Sequence, residues 1–147
     1  MAQSIGLLVL RVVAGGFMMT HGWGKVQRVF AGEFDKFADP IGIGTGPSLV
    51  AAAGAEFACA ALVVIGLFTR LAAIPVAFTM GVAALVVHGD DPWLAGTAAD
   101  LVKAGKAESW ASKEPALIFA AAFLTLALTG AGRFSVDAWW KKRRAGS

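Results

Sequence analysis

Residues 7–25 read LLVLRVVAGGFMMTHGWGK, an apolar run that carries one arginine, Arg11, and ends in His21 and Lys25. As a helix, the stretch from residue 5 to 23 is about 28 Å long, which matches the hydrocarbon thickness of a bilayer. We therefore predict a transmembrane helix over residues 5–24. An ionised side chain at membrane depth costs at least about 2.5 kcal/mol unless it faces the protein interior. Arg11 is therefore predicted to point inward and to have a partner there.

The composition of the whole chain is typical of a membrane protein. Of its 147 residues, 57% are hydrophobic and 16% are charged, and the mean hydropathy is +0.67. A water-soluble domain of this size needs more polar surface than these residues supply. The net charge of +3 is small and the basic residues cluster at the carboxyl end, which argues against a nucleic-acid partner. The single cysteine, Cys59, provides no disulfide, zinc, haem or iron–sulfur framework, so no cofactor is bound by a recognisable motif.

Three more apolar runs follow the first one. They predict helices over residues 48–68, interrupted by Glu56, over 71–88, ending at His88, and over 115–131, beginning after Glu114. The connections 25–47 and 89–114, the latter with a short surface helix around 98–106, and the basic tail 132–147 complete a single transmembrane domain over residues 1–147. The predicted fold is all-α, an integral membrane four-helix bundle.

The distribution of basic residues predicts the orientation of this bundle. Four spans place both termini on one side of the membrane. That side carries Arg70, in the tight turn between the second and third helices, and a cluster formed by Lys141, Lys142, Arg143 and Arg144. The positive-inside rule assigns it to the cytoplasm.

Helical phase brings polar residues of different helices together. At about 100° per residue, one stripe of the first helix contains Arg11, Ala14, Gly15, Met18, Gly22 and Lys25, with His21 at its edge. We expect this stripe to face the bundle interior, because its small residues allow another helix to come close. Near the outer end of the bundle, the predicted topology gathers five ionisable side chains: His21, Lys25, Glu56, His88 and Glu114.

Short motifs are spread along almost the whole chain. They are the first apolar run leading into HGWGK at 21–25, the acid Glu56, GLFTR at 66–70, the helix ending in His88, KEPALI at 113–118 and GAGRFSVD at 130–137. Together, from about residue 4 to 138, they resemble the DoxX family of small four-helix bacterial membrane proteins. The resemblance implies a multi-pass protein of the bacterial inner membrane that is linked to oxidoreductase assemblies. Similar proteins include a subunit of a thiosulfate:quinone oxidoreductase and a membrane partner of thiol and superoxide detoxification enzymes.

The polar residues allow a structural and a functional interpretation. In the structural one, Arg11 and Glu56 form an ion pair across an estimated depth difference of about 9 Å, and capping or interface anchoring accounts for the other residues. In the functional one, His21 and His88 serve a quinone headgroup, whose carbonyl needs a hydrogen-bond donor and whose reduction needs a proton-exchanging group such as imidazole. A metal held by both histidines with Glu56 or Glu114 is a weaker alternative, because no close His-x-x-x-His spacing is present.

We therefore predict a membrane-embedded component of an oxidoreductase system that meets the quinone pool through the outer polar cluster. The competing function is a non-enzymatic scaffold that anchors soluble redox partners through the basic tail and the Phe-rich first connection. Phe30, Phe34 and Phe37 recur there at helical spacing and predict a short amphipathic element on the membrane surface, with a lid or a partner-docking face as the alternative. No catalytic residue is assigned, and an enzymatic role, if present, is that of a quinone-linked subunit.

These two functions require different interiors. A quinone site requires His21, Glu56 and His88 to line one pocket that is open to lipid, whereas a scaffold requires a filled bundle. The expected partners are the lipid bilayer, a quinone and a soluble or membrane-bound oxidoreductase, and a homo-oligomer is compatible with either function.

Overall fold

The computed structural model describes residues 1–106 and 111–145, and all regular structure in these two ranges is helical. The helices are α1 (Ala2–Ala31), α2 (Thr45–Ile65), α3 (Thr69–Val87), α4 (Ala95–Lys103), α5 (Glu114–Thr129) and α6 (Val136–Ala145). α2 and α3 each contain a π-helical segment, at Gly54–Cys59 and at Ala83–Val87. The prediction of an all-α protein is confirmed.

Three of these helices, α1, α2 and α3, are long and apolar enough to cross a membrane. α5 is also apolar and packs mainly against α3, but it has only 16 residues, which correspond to a length of about 24 Å. The prediction of several membrane helices is thus confirmed, and the fourth span remains a prediction.

The packing is that of a membrane bundle, with small side chains at many of the helix contacts and many large apolar side chains on the outer surface. Ala60 and Ala73 are fully buried at the helix contacts, whereas Phe17, Phe78 and Leu128 are exposed on the outer surface. Small residues let membrane helices approach closely, and large apolar side chains on the outside suit lipid chains. The predicted inward stripe of α1 is confirmed, since the buried residues of α1 include Arg11, Ala14, Gly15, Met18 and Gly22.

α1 extends beyond its predicted end at residue 24. Nothing in the sequence VQRVFA that follows breaks a helix, and α1 ends only where Gly32 adopts φ 70° and donates its N–H to the carbonyls of Arg28 and Val29. Phe30 therefore lies at the exposed end of α1, while Phe34 and Phe37 lie in the irregular connection that follows. The predicted amphipathic element that carries all three phenylalanines is wrong.

Residues 66–68 form the turn between α2 and α3, whereas the apolar runs predict this turn at residues 69–70. Gly66 ends α2 with φ 76°, and its N–H donates to the carbonyls of Leu62 and Val63. α3 already begins at Thr69 because Asp137, from the tail, accepts hydrogen bonds from the N–H groups of Phe68 and Thr69 at 2.8 and 3.0 Å. The tail carboxylate thus caps the first turn of α3.

Asp137→Ala is expected to lower the free energy of unfolding by about 1–2 kcal/mol, because it removes the cap and leaves two helix N–H groups unpaired. Thermal unfolding of the purified protein in detergent measures the effect. Asp90→Ala is the matched control, since Asp90 is an exposed acid in a loop. Equal melting temperatures for the two variants would contradict the capping role of Asp137.

Candidate functional site

A cavity of about 620 Å³ lies at the end of the bundle that is away from the two termini. Four of the five predicted site residues line it, namely His21, Lys25, Glu56 and His88. Much of the remaining wall consists of alanine, proline and phenylalanine side chains, with Phe37 and Ile41 from the first connection and Ala111 from the second. A few polar groups therefore converge in an otherwise apolar pocket, as in many ligand-binding sites.

Glu56 is a deeply buried acid in the wall of this cavity, with a relative exposure of 2%. Its Oε2 lies 2.5 Å from Nζ of Lys25, whose side chain is 26% exposed. A buried carboxylate is tolerated only when an opposite charge or hydrogen-bond donors compensate its desolvation. Lys25 supplies that compensation and also faces the cavity with part of its side chain.

The predicted ion pair between Arg11 and Glu56 is wrong. Nη2 of Arg11 instead donates to the carbonyl oxygen of Phe134 in the tail at 2.5 Å, while Nε and Nη1 have no hydrogen-bond partner among the residues that the structure describes. Helical side chains lean toward the amino terminus of their helix, so the guanidinium of Arg11 extends toward the turn at Gly66 and away from Glu56. Lys25, further along the same stripe, lies close to Glu56 and takes the place of Arg11 as its ion-pair partner.

The position of Glu56 depends on a close approach of α1 to α2 at Gly22. A Cβ atom on Gly22 would lie 2.6–2.8 Å from backbone atoms of Glu56 and Phe57. Only glycine allows this contact, because backbone atoms of a helix cannot move aside cheaply. The contacted residues belong to the π-helical segment Gly54–Cys59, which directs the carboxylate of Glu56 toward α1.

Both π-helical segments border the cavity. Glu56 comes from the first segment, and Ala83 and Val87 come from the second one, Ala83–Val87, which directly precedes His88. π-helical turns are rare and are frequent at functional sites. The hydrophobic pattern of the sequence did not indicate either segment, because one extra residue in a helical turn leaves an apolar run apolar.

The two histidines are held in different ways. Nδ1 of His88 lies 2.7 Å from Oδ2 of Asp91, and both side chains are one-third exposed. A carboxylate on one ring nitrogen fixes the orientation of an imidazole and leaves Nε2 for another partner. His21 is exposed and packs its ring edge-on against Phe119, with 6.0 Å between ring centroids. Asp91 is an additional residue of the site that the sequence analysis does not contain; it lies in the turn after α3, three residues beyond His88.

Glu114, the fifth predicted site residue, does not line the cavity. Its Oε2 accepts a hydrogen bond of 2.8 Å from the backbone N–H of Ala95. This contact caps the first turn of α4, the short helix predicted around 98–106, and explains why α4 begins at Ala95. Glu114 thus holds the second connection in place, while its neighbours Pro115 and Ala116 line the cavity.

Asp39 organises the first connection beside the cavity. Its carboxylate accepts hydrogen bonds from the hydroxyl of Ser48 and from the N–H groups of Ile43 and Gly44, at 2.8–3.0 Å. These hydrogen bonds hold the pKa of Asp39 below its ordinary value, and the one from Ser48 has the largest effect. Phe37, Ala38 and Pro40 belong to the cavity wall. The hydrogen bonds of Asp39 therefore hold this part of the wall in place.

The metal alternative finds no geometric support. Within residues 1–106 and 111–145, no three His, Cys, Asp or Glu side chains form a group that could hold a metal ion. Two of the candidate ligands already have other partners, since Glu56 pairs with Lys25 and Glu114 caps α4.

Comparison with known proteins identifies the family. A family model described as DoxX matches residues 6–89, which is more than half of the 147 residues. The match includes most of α1, all of α2 and α3, and the four polar cavity residues. No curated protein and no solved structure shows significant similarity to the chain. The chain belongs to the DoxX family.

Proposed function

We propose that the chain is the quinone-binding membrane component of an oxidoreductase system, and that the quinone headgroup lies in the cavity between α1, α2 and α3. The observation that carries this proposal is the common lining of one apolar cavity by His21, Lys25, Glu56 and His88. A filled bundle, which a pure scaffold requires, has no such space. The volume of about 620 Å³ falls within the range of about 300–1,000 Å³ that is typical of small-molecule sites.

The chemistry of the wall suits a quinone. A quinone headgroup is a flat apolar ring with two carbonyl oxygens that accept hydrogen bonds, so it needs donors set in an apolar pocket. Lys25 is such a donor, and His88, oriented by Asp91, offers its second ring nitrogen. His88 and Glu56 can also exchange the protons that accompany quinone reduction. In this proposal the electrons come from a partner oxidoreductase, while this chain binds and orients the headgroup.

An isoprenoid tail needs an apolar exit from the cavity. Phe78 and Val87 line the cavity and are also exposed on the outer surface of α3, where lipid chains would contact the protein. A quinone entering along α3 would keep its tail in lipid while the headgroup meets the polar residues. This path favours a membrane-soluble ligand over a water-soluble one.

We also propose a location and an orientation for the protein. In a bacterial inner membrane, α5 acts as the fourth span and both termini are cytoplasmic. The cluster from Lys141 to Arg144 on α6 supports this orientation, because basic residues near helix ends favour the cytoplasmic side. The cavity then opens near the outer face of the membrane.

Quinone binding by the purified protein tests the proposal. Native mass spectrometry should detect a co-purifying quinone, and titration with a decyl-benzoquinone should give a saturable affinity. We expect His88→Ala and Lys25→Gln each to weaken this affinity about 10-fold, the usual effect of losing one hydrogen bond in a pocket. Lys36→Gln is the matched control, since Lys36 is exposed and lies outside the cavity wall, and it should bind as the wild type does. Equal affinities of all four proteins would overturn the proposal.

A membrane anchor for soluble redox proteins is the second candidate function, and α6 favours it. None of the residues of α6 is buried, and the guanidinium of Arg143 lies 4.0 Å from the ring centre of Trp139, so an amphipathic basic helix remains open to a partner. The same preparations distinguish the two functions. A second protein retained by the wild type and by all three variants, without any quinone, would support the anchor.

A further inference from the structure

A second cavity, of about 410 Å³, lies at the opposite end of the bundle, where the tail meets the turn between α2 and α3. Its wall contains two basic side chains, Arg70 at the start of α3 and Lys141 on α6, together with the apolar side chains of Phe68 and Leu71. Phe68 and Leu71 are 52% and 68% exposed, so the apolar part of the wall continues onto the outer surface of the bundle. This arrangement combines cations with an apolar flank at the end of the membrane helices.

The structure leaves both cations of this cavity available for an anion. Nη2 of Arg70 makes one long contact of 3.4 Å with the carbonyl oxygen of Thr129, and neither Arg70 nor Lys141 forms an ion pair with a residue in the described ranges. The side chain of Arg70 passes close to Gly130, where a Cβ atom would lie 3.0 Å from its Nε. Thr69, in the same wall, has a buried hydroxyl that finds no hydrogen-bond partner within residues 1–106 and 111–145.

Asp137, the one acid among the described residues of this wall, forms no ion pair with either cation. Its two carboxylate oxygens accept hydrogen bonds from the N–H groups of Phe68 and Thr69, at the positive end of the α3 dipole. The buried guanidinium of Arg11 lies behind the same turn, against Gly66. The local balance around the cavity is therefore positive.

We propose that this cavity binds the phosphate of an anionic phospholipid headgroup, with Arg70 and Lys141 as its cationic ligands. Phosphate is recognised by guanidinium and ammonium groups, and basic side chains at the membrane surface attract anionic lipids. The exposed Phe68 and Leu71 then contact the first part of the acyl chains. This site lies at the other end of the bundle from the quinone cavity, and its function does not depend on the quinone proposal.

Native mass spectrometry of the full chain in a zwitterionic detergent tests this site with defined probes. We expect phosphatidylglycerol to bind about 10-fold more tightly than phosphatidylcholine of the same chain length, and Arg70→Gln with Lys141→Gln to remove this difference. The matched control is the double variant Arg133→Gln with Lys142→Gln, which removes two exposed charges at the same end of the bundle but outside the cavity wall. This variant should still prefer phosphatidylglycerol. Soluble glycerol 3-phosphate should bind much more weakly than the lipid, because it lacks acyl chains.

Two further variants keep the test decisive if the double variant is unstable. Arg70→Lys keeps the charge and should retain the preference for phosphatidylglycerol, and Lys141→Gln alone changes only an exposed side chain and should reduce it. Equal losses in both double variants would mean that the surface charge of the tail, not the cavity, attracts the lipid, and would overturn the proposal. Glycerol 3-phosphate binding as tightly as the lipid would overturn it as well, in favour of a site for soluble phosphate esters.

Discussion

Gly22→Ala is expected to force α1 away from α2 and to abolish quinone binding, with a loss of stability of about 3 kcal/mol. The added methyl group would lie 2.6–2.8 Å from the backbone carbon and oxygen of Glu56 and the backbone nitrogen of Phe57. Since backbone atoms cannot rotate out of the way, the two helices must separate or the π-helical segment must rearrange. Either change moves the carboxylate of Glu56 away from Lys25 and alters the cavity wall.

Gly24→Ala is the matched control for this prediction. It introduces the same methyl group into the same helix, but in the described part of the chain no heavy atom, apart from its chain neighbours and the nearby backbone of α1, lies within 4 Å of the new Cβ position. Because alanine favours a helix over glycine by about 1 kcal/mol, this variant should be as stable as the wild type or slightly more stable. Unfolding in detergent and quinone titration of both variants measure the difference. A Gly22→Ala protein that binds quinone like the Gly24→Ala protein would show that the close contact does not shape the cavity.

The inward face of α1 could be predicted from the sequence because it depends on helical phase alone. A charged residue in an apolar run and small residues at the same phase indicate the buried stripe, and the structure buries Arg11, Gly15 and Gly22 as expected. The partner of Arg11 could not be predicted in this way. It depends on the direction of the side chain along the helix and on the tail, which returns to the bundle more than one hundred residues later, at Phe134.

The sequence predicts those parts of the candidate site that depend only on which helix ends lie on the same side of the bundle. His21, Lys25, Glu56 and His88 line one cavity because they lie near the same end of three adjacent helices. Glu114 is at the same end too, but its carboxylate caps α4, a contact that needs the path of the second connection. The π-helical segments, which bring Glu56 to α1 and precede His88, depend on tertiary packing and leave no pattern in the hydrophobic residues.

The pair formed by Lys25 and Glu56 allows structure and function to be measured separately. Lys25→Met is expected to lower the free energy of unfolding by about 3–5 kcal/mol, because it leaves a buried carboxylate without its partner. Glu56→Leu should cost less, since the partly exposed ammonium of Lys25 can extend toward water. The double variant Lys25→Met with Glu56→Leu should recover the stability of the wild type to within about 1 kcal/mol, because an apolar pair often replaces a buried ion pair without loss.

Quinone affinity is expected to respond differently from stability in this cycle. The double variant should unfold like the wild type and still bind quinone about 10-fold more weakly or not at all, because it lacks the donor and the proton-exchanging acid of the cavity. Lys36→Met is the control for the loss of a surface ion pair, since Lys36 and Glu33 are both exposed, and it should change neither property. A double variant that is stable and binds quinone like the wild type would make the pair purely structural and leave His21 and His88 as the polar groups of the site.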